Sequence, residues 1–270
     1  MGAVYLWELR KLRSQKRTYL GLGGAVLVPI AFVIALAVQK GGAGPNDVPL
    51  ARALRDTGLA IPFVVLFFMS IWGLPLVTAL VAGDIVASES HNGTLKTILT
   101  RSRDRGQVFA GKVCATATYT LAALFAMVAV GLIAGVIEFG WHPLVSLTGT
   151  KVSPLRGLGL LAASSAVYAW PLLAIAAFGL LLSTVTRNSA ASVVGTLMFA
   201  LLMQLLGALP GTEVIRPYLL GNQFSAWHGF LRKPTDWAPV IRAAWLCALY
   251  AGIPLFAGYL VFLRRDVTGD

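Results

Sequence analysis

Six stretches of the chain, residues 19–38, 61–82, 113–137, 157–182, 190–209 and 243–263, contain no Asp, Glu, Lys, Arg or His. Each supplies the roughly 20 apolar residues that a helix needs to cross a hydrocarbon layer about 30 Å thick. The pattern predicts an all-α integral membrane protein with six transmembrane helices, forming a single domain over residues 1–270. Pro29, Pro62, Pro75, Pro171 and Pro254 fall inside these stretches, where membrane helices tolerate proline and often kink. Gly131 and Gly135 stand in GxxxG spacing, which lets a neighbouring helix approach closely.

The polar flanks refine this plan. Over residues 1–18, Tyr5, Leu6, Leu9 and Leu12 recur at three- and four-residue steps beside Arg10, Lys11, Arg13, Lys16 and Arg17. That pattern predicts an amphipathic helix lying at the membrane surface. The apolar run that follows is too long for the core of a cleavable signal and reads as an uncleaved first helix. The basic cluster before it places both termini in the cytoplasm, by the bias of Lys and Arg toward that side. The expected location is therefore a cell (plasma) membrane, crossed several times. Residues 39–60 read as an irregular outer loop rich in Gly and Pro. Residues 210–242 are too apolar for a free loop and too interrupted for a span. They predict short re-entrant helices before the sixth span, with Trp227 and Trp237 as interfacial anchors.

Composition narrows the functional classes. With 57% hydrophobic and 12% charged residues and a mean hydropathy of +0.76, the chain is not an ordinary soluble domain. Its net charge of +11 reads as an orientation signal rather than a nucleic-acid surface. Cys114 and Cys247 read as small buried apolar residues, and the topology sets them near opposite faces, so no disulfide is expected. His91, His142 and His228 all fall in loops, and neither GxSxG nor HExxH occurs. No catalytic residue, metal site or cofactor bound by this chain is expected, and the protein by itself is not expected to be an enzyme.

The loop at 83–112 reads GDIVASESHNGTLKTILTRSRDRGQVFAGK, and two of its motifs mislead. Residues 106–112, GQVFAGK, approach a phosphate-binding loop, but Val113 stands where the motif needs Ser or Thr for Mg²⁺, and a membrane helix follows. Asn92-Gly93-Thr94 spells a glycosylation sequon, which the expected topology keeps in the cytoplasm. Asp84 and Glu89 remain, followed by the apolar stripe Leu95, Ile98 and Leu99 beside Lys96 and the cluster Arg101, Arg103 and Arg105. The stripe fits a short amphipathic helix, which either docks in a groove of a soluble partner or lies on headgroups.

In the order of these features the loop resembles the membrane subunits of ABC exporters, the type 2 permease family. There an acidic residue precedes Gly-Thr-Leu, a Leu-Leu-Thr-like stretch, a basic patch, and a Gly-Lys leading into the third helix. The resemblance extends to the six-span plan, the basic N-terminus and the outer apolar segment, although only the loop is reasonably specific. It implies a permease that exports from the cytoplasm in a complex of two permeases and two ABC ATPase subunits that carry the ATP and Mg; the family leaves the cargo open, the polar residues in the spans suit a hydrophobic or amphiphilic substrate, and a homodimer is the default pairing. The ATPase contact, a cytoplasmic coupling helix between spans two and three, would then comprise Asp84, Glu89, Asn92, Gly93, Thr94, Leu95, Lys96, Ile98, Leu99, Arg101 and Arg105. The tract 216–220 would correspond to the re-entrant region that closes the exit.

Other classes fit the same residues less well. An ion-coupled carrier normally keeps ionisable groups within the membrane, and the six stretches hold none. A passive carrier, or a non-transporting assembly or anchoring subunit of the same fold, would share the loop and show no vectorial transport. Thr78, Tyr119, Tyr168 and Gln204 are the candidate lining of a substrate path, although polar residues in spans mostly serve as interhelical hydrogen bonds. Lipid is an expected partner and nucleic acid is not.

Overall fold

A computed structural model describes residues 2–38, 57–91, 104–145, 150–232 and 234–264. Helix α1 (Gly2–Arg13) turns through Ser14 and Gln15 into α2 (Lys16–Val38). A 3-10 turn at Gly58–Ala60 leads to α3 (Ile61–Met69), which a short break separates from α4 (Gly73–Ala82). The short α5 (Ala87–His91) precedes the long α6 (Arg105–Phe139) and α7 (Pro154–Thr186). Arg187, in the left-handed region at φ 56°, reverses the chain into α8 (Ser189–Ala208), whose start Asn188 caps by accepting from the Ala191 amide at 3.1 Å. Arg216–Tyr218, α9 (Leu220–Gln223) and Ala226–Leu231 are short helical pieces ahead of α10 (Ala238–Leu263).

Six of these stretches are long and apolar enough to cross a membrane: Lys16–Val38, Gly73–Ser90, Arg105–Phe139, Pro154–Thr186, Ser189–Ala208 and Ala238–Leu263. The all-α multi-pass plan expected from the charge-free stretches is present. The 35 residues of α6 reach about 52 Å at 1.5 Å per residue, so this helix outruns the hydrocarbon layer. The second span departs from expectation, because 61–82 is not one helix. Pro75 has no N–H to give the carbonyl of Ile71 and its ring crowds that carbonyl, and the chain breaks at residues 70–72. In a membrane the carbonyls freed by a break must find other donors. The Ser70 hydroxyl donates to Phe67 O at 2.6 Å and the Gln204 amide to Ser70 O at 2.9 Å, while the Tyr168 hydroxyl adds a second donor at 3.1 Å to Leu66 O, which keeps its bond from Ser70 N.

Small residues set how closely the helices pack. A Cβ on Gly135 would lie 2.6 Å from the carbonyl oxygen of Gly58, and one on Gly131 would touch Pro29 at 3.4 Å. The GxxxG face of α6 is therefore where α2 and the start of α3 approach it. α4 and α7 form the enclosed centre, while α10 presents Ile241, Trp245, Leu249, Ile253 and Phe256 outward as a continuous apolar stripe suited to lipid.

Three local expectations change. Leu144–Val145 and Lys151–Val152 pair as a small antiparallel hairpin, β1 and β2. Trp227 is 3% exposed and packs its ring 5.6 Å from that of Phe63, so it is a core residue and only Trp237 stands outward as an anchor would. Cys247 is buried as expected, whereas Cys114 is exposed on α6.

Candidate functional site

At the basal end, which carries α1, the starts of α2, α6 and α8 meet the ends of α4, α7 and α10. Here the chain collects its buried charge. Gly111 opens the space: a Cβ there would strike Val4 Cγ1 at 2.7 Å, so α1 lies directly on α6, and the Tyr5 hydroxyl reaches Thr118 Oγ1 at 2.9 Å. The inward face of α1 consists of Glu8 and Leu12, while Leu6 of the expected stripe is 54% exposed. Glu8 follows from helical spacing, being one turn after Val4 and one turn before Leu12.

Lys112 of α6 is fully buried, as is Glu8. Its ammonium lies 2.6 Å from Glu8 Oε1, 2.7 Å from Glu89 Oε2 and 3.3 Å from Ile85 O. The ammonium donates hydrogen bonds to Glu8 Oε1 and Ile85 O and makes an ion pair with Glu89. Glu89 in turn pairs with Lys11 through its other oxygen, so among the described residues two cations face two anions and their charges balance. Neutrality is what makes burial tolerable, since each bare ion would cost several kcal/mol to desolvate.

A second pair stands beside it. Asp84, 2% exposed, accepts from the Arg17 guanidinium through Oδ2 and from the Ser189 hydroxyl through Oδ1. Between the two acids the backbone is held as well: Ser183 Oγ accepts from the amides of Val86 at 3.0 Å and Ala87 at 2.9 Å, capping α5. Gly83 permits this seat, because a Cβ there would meet the backbone of Val193 at 2.8 Å. The segment 84–89 is therefore fastened to α1, α2, α6, α7 and α8 at once. On the far side of 92–103, Asp104 caps α6 by accepting from Gly106 N at 3.2 Å, and Arg105 Nη1 donates to Leu263 O at 2.8 Å, tying α6 to the end of α10.

Among the residues expected to contact an ATPase, Asp84 and Glu89 are turned inward, and Arg105 is bonded to α10. Their geometry anchors the segment rather than offering a contact surface. Asn92, Gly93, Thr94, Leu95, Lys96, Ile98, Leu99 and Arg101 lie outside the described residues. Residues 106–112 form the first turns of α6, and the Lys112 ammonium is taken by Glu8 and Glu89, so the lysine has no charge to offer a nucleotide phosphate. In the candidate path, Tyr168 and Gln204 serve the helix break, the Tyr119 hydroxyl donates to Thr18 O at 3.5 Å, and Thr78 is 1% exposed. Sequence reasoning missed Glu8, Lys11, Arg17, Lys112, Ser183 and Ser189 as partners. The signal present was Glu8 itself, the one acid within an otherwise basic helix.

A family model described as a protein of unknown function, DUF2705, matches residues 32–268. The chain belongs to that family. No curated protein matches it.

Proposed function

We propose that the chain is the membrane-spanning permease subunit of an ATP-driven exporter, a homodimer whose energy comes from separate ABC ATPase subunits docking on the loop at 92–103. The cargo in this reading is hydrophobic or amphiphilic, and the docking face is cytoplasmic. The observation that carries the proposal is the fastening of 84–89 and 104–105 around that loop. Force applied there is borne by α1, α2 and α6 through ion pairs and by α7, α8 and α10 through hydrogen bonds, and a buried ion pair resists separation far more than an exposed one. A free surface loop would need no such mounting, and a subunit that hydrolyses nothing itself needs a rigid input point for work done elsewhere.

The test is co-purification of the full chain with an ABC ATPase, followed by ATPase measurement in reconstituted membranes. Replacing Gly93 and Thr94 with bulky residues is expected to abolish stimulated hydrolysis while the protein still inserts. Hydrolysis by this chain alone, or stimulation unchanged by the substitutions, would refute the reading. Stimulated hydrolysis without vectorial transport would identify a non-transporting assembly subunit instead.

A further inference from the structure

The opposite, distal end of the bundle holds a polar pocket of about 200 Å³ lined by Asn222, Ser225, His228, Arg232 and Arg242. Its walls are the helical piece Ala226–Leu231 and the first turns of α10. The walls are held firmly. Asp236 N donates to Gly229 O at 3.1 Å, and a Cβ on Gly229 would lie 2.2 Å from Asp236 O, so only glycine lets the two strands of the loop touch. On the α9 side, the Gln223 amide is fixed by the carbonyls of Pro217 and Leu219, each at 2.9 Å.

Charge in this pocket is unbalanced. Among the described residues the lining holds two guanidiniums, Arg232 and Arg242, and no carboxylate; Asp236 lies 3.7 Å from Arg232 Nη1 and spends Oδ1 on the Ala238 amide at 3.1 Å. The start of α10 adds positive potential of the same sign. Burial, and then the charge of Arg232, push the His228 imidazole below its usual range, so at neutral pH it offers one N–H without a further positive charge. A guanidinium is a planar fork that matches oxyanions two oxygens at a time. A carboxylate or a phosphodiester has two free oxygens, enough for one fork, whereas a phosphate monoester has three, enough for two forks that share one oxygen. Exposed Tyr218, Trp237 and Trp245 stand around this end, the residue types that settle at the headgroup level of a bilayer.

We infer that this pocket binds a phosphate group, with Arg232 and Arg242 as its two forks. The group is carried by a membrane-lipid headgroup or by a soluble phosphate, and the inference does not depend on the exporter reading. The experiment uses the purified full chain in uncharged, phosphate-free detergent, with native mass spectrometry to count bound short-chain phosphatidic acid, a phosphate monoester. One molecule per chain is expected, with R232Q/R242Q weaker by at least about tenfold and R232K/R242K intermediate, since lysine keeps the charge and loses the fork. Displacement of that lipid by inorganic phosphate, but not by chloride at equal ionic strength, would show a pocket for any phosphate group; resistance to both would show a headgroup site. Equal binding by the wild type and R232Q/R242Q overturns the proposal, as does displacement of the lipid by chloride as effective as that by phosphate. Because Arg232 is 62% exposed, the single variant R232Q retains the fold and gives the same test with a smaller effect.

Discussion

The Lys112 ammonium and the Glu8 carboxylate meet 2.6 Å apart with neither side chain exposed, joining the first helix of the chain to the long sixth. Removing one side of such a buried pair leaves an uncompensated charge, at about 3–5 kcal/mol. Lys112→Met leaves Glu8 without its cation and removes one of the cations facing Glu89, and is expected to be the most destabilising substitution at the basal end. Glu8→Gln should cost less, because Glu89 still neutralises the lysine. The Glu8→Leu/Lys112→Met double variant should recover part of that loss, because it removes Glu8 together with its cation while Glu89 still pairs with Lys11. Denaturant unfolding in detergent checks this order, and Glu8→Gln destabilising more than Lys112→Met would contradict it.

Asp84 links Arg17 at the start of α2 to Ser189 at the start of α8. If this segment transmits work from a docked ATPase, Asp84→Asn should weaken the coupling more than the fold, because Asn still accepts from Ser189. Coupling between sites is typically worth about 1–3 kcal/mol, so stimulated hydrolysis is expected to fall about tenfold with little change in unfolding midpoint. The two measurements together distinguish transmission from simple destabilisation.

Five of the six long apolar helices were legible because a membrane forbids charge over a whole helix length, a constraint written into each stretch separately. The break at residues 70–72 was not, since proline in a span is compatible with a straight, kinked or broken helix until neighbours such as Tyr168 and Gln204 supply donors. Asp84 and Glu89 were recognisable as acids of a loop that matters. Their inward aim was not, because pairing Glu89 with Lys11, or Lys112 with Glu8, spans 78 and 104 residues, and a linear pattern carries no such contact. Lys112 misled in a second way: at the edge of a charge-free run it reads as the loop's end, although α6 begins two turns earlier at Arg105.

The close approach of Gly135 to Gly58 predicts a sharp size limit. Gly135→Leu places side-chain atoms where the Gly58 carbonyl already sits 2.6 Å from the Cβ position. Overpacking of this kind costs about 1–3 kcal/mol, or more where backbone must move. Gly159→Leu is the control, with nothing within 4 Å of its Cβ, and should be nearly neutral. Thermal unfolding of the two variants beside the wild type decides the matter, and equal midpoints would refute the contact.

His228 gives the distal end a pH dependence whose sign follows from its surroundings. The imidazole sits with its ring 4.1 Å from that of Trp227 and 6.2 Å from that of Phe67. Burial, followed by the charge of Arg232, lowers its pKa below the ordinary value of 6.5. Between the lowered folded value and the ordinary unfolded one, the unfolded chain binds more protons, so stability rises with pH there. The contribution is complete above about 6.5 and is lost as pH falls through the folded value. Unfolding midpoints at acidic and neutral pH should therefore diverge in the wild type. His228→Gln, which stays neutral and keeps an N–H, should narrow that gap, with the change confined to acidic pH. A gap unchanged by the substitution would assign the acid sensitivity to other groups.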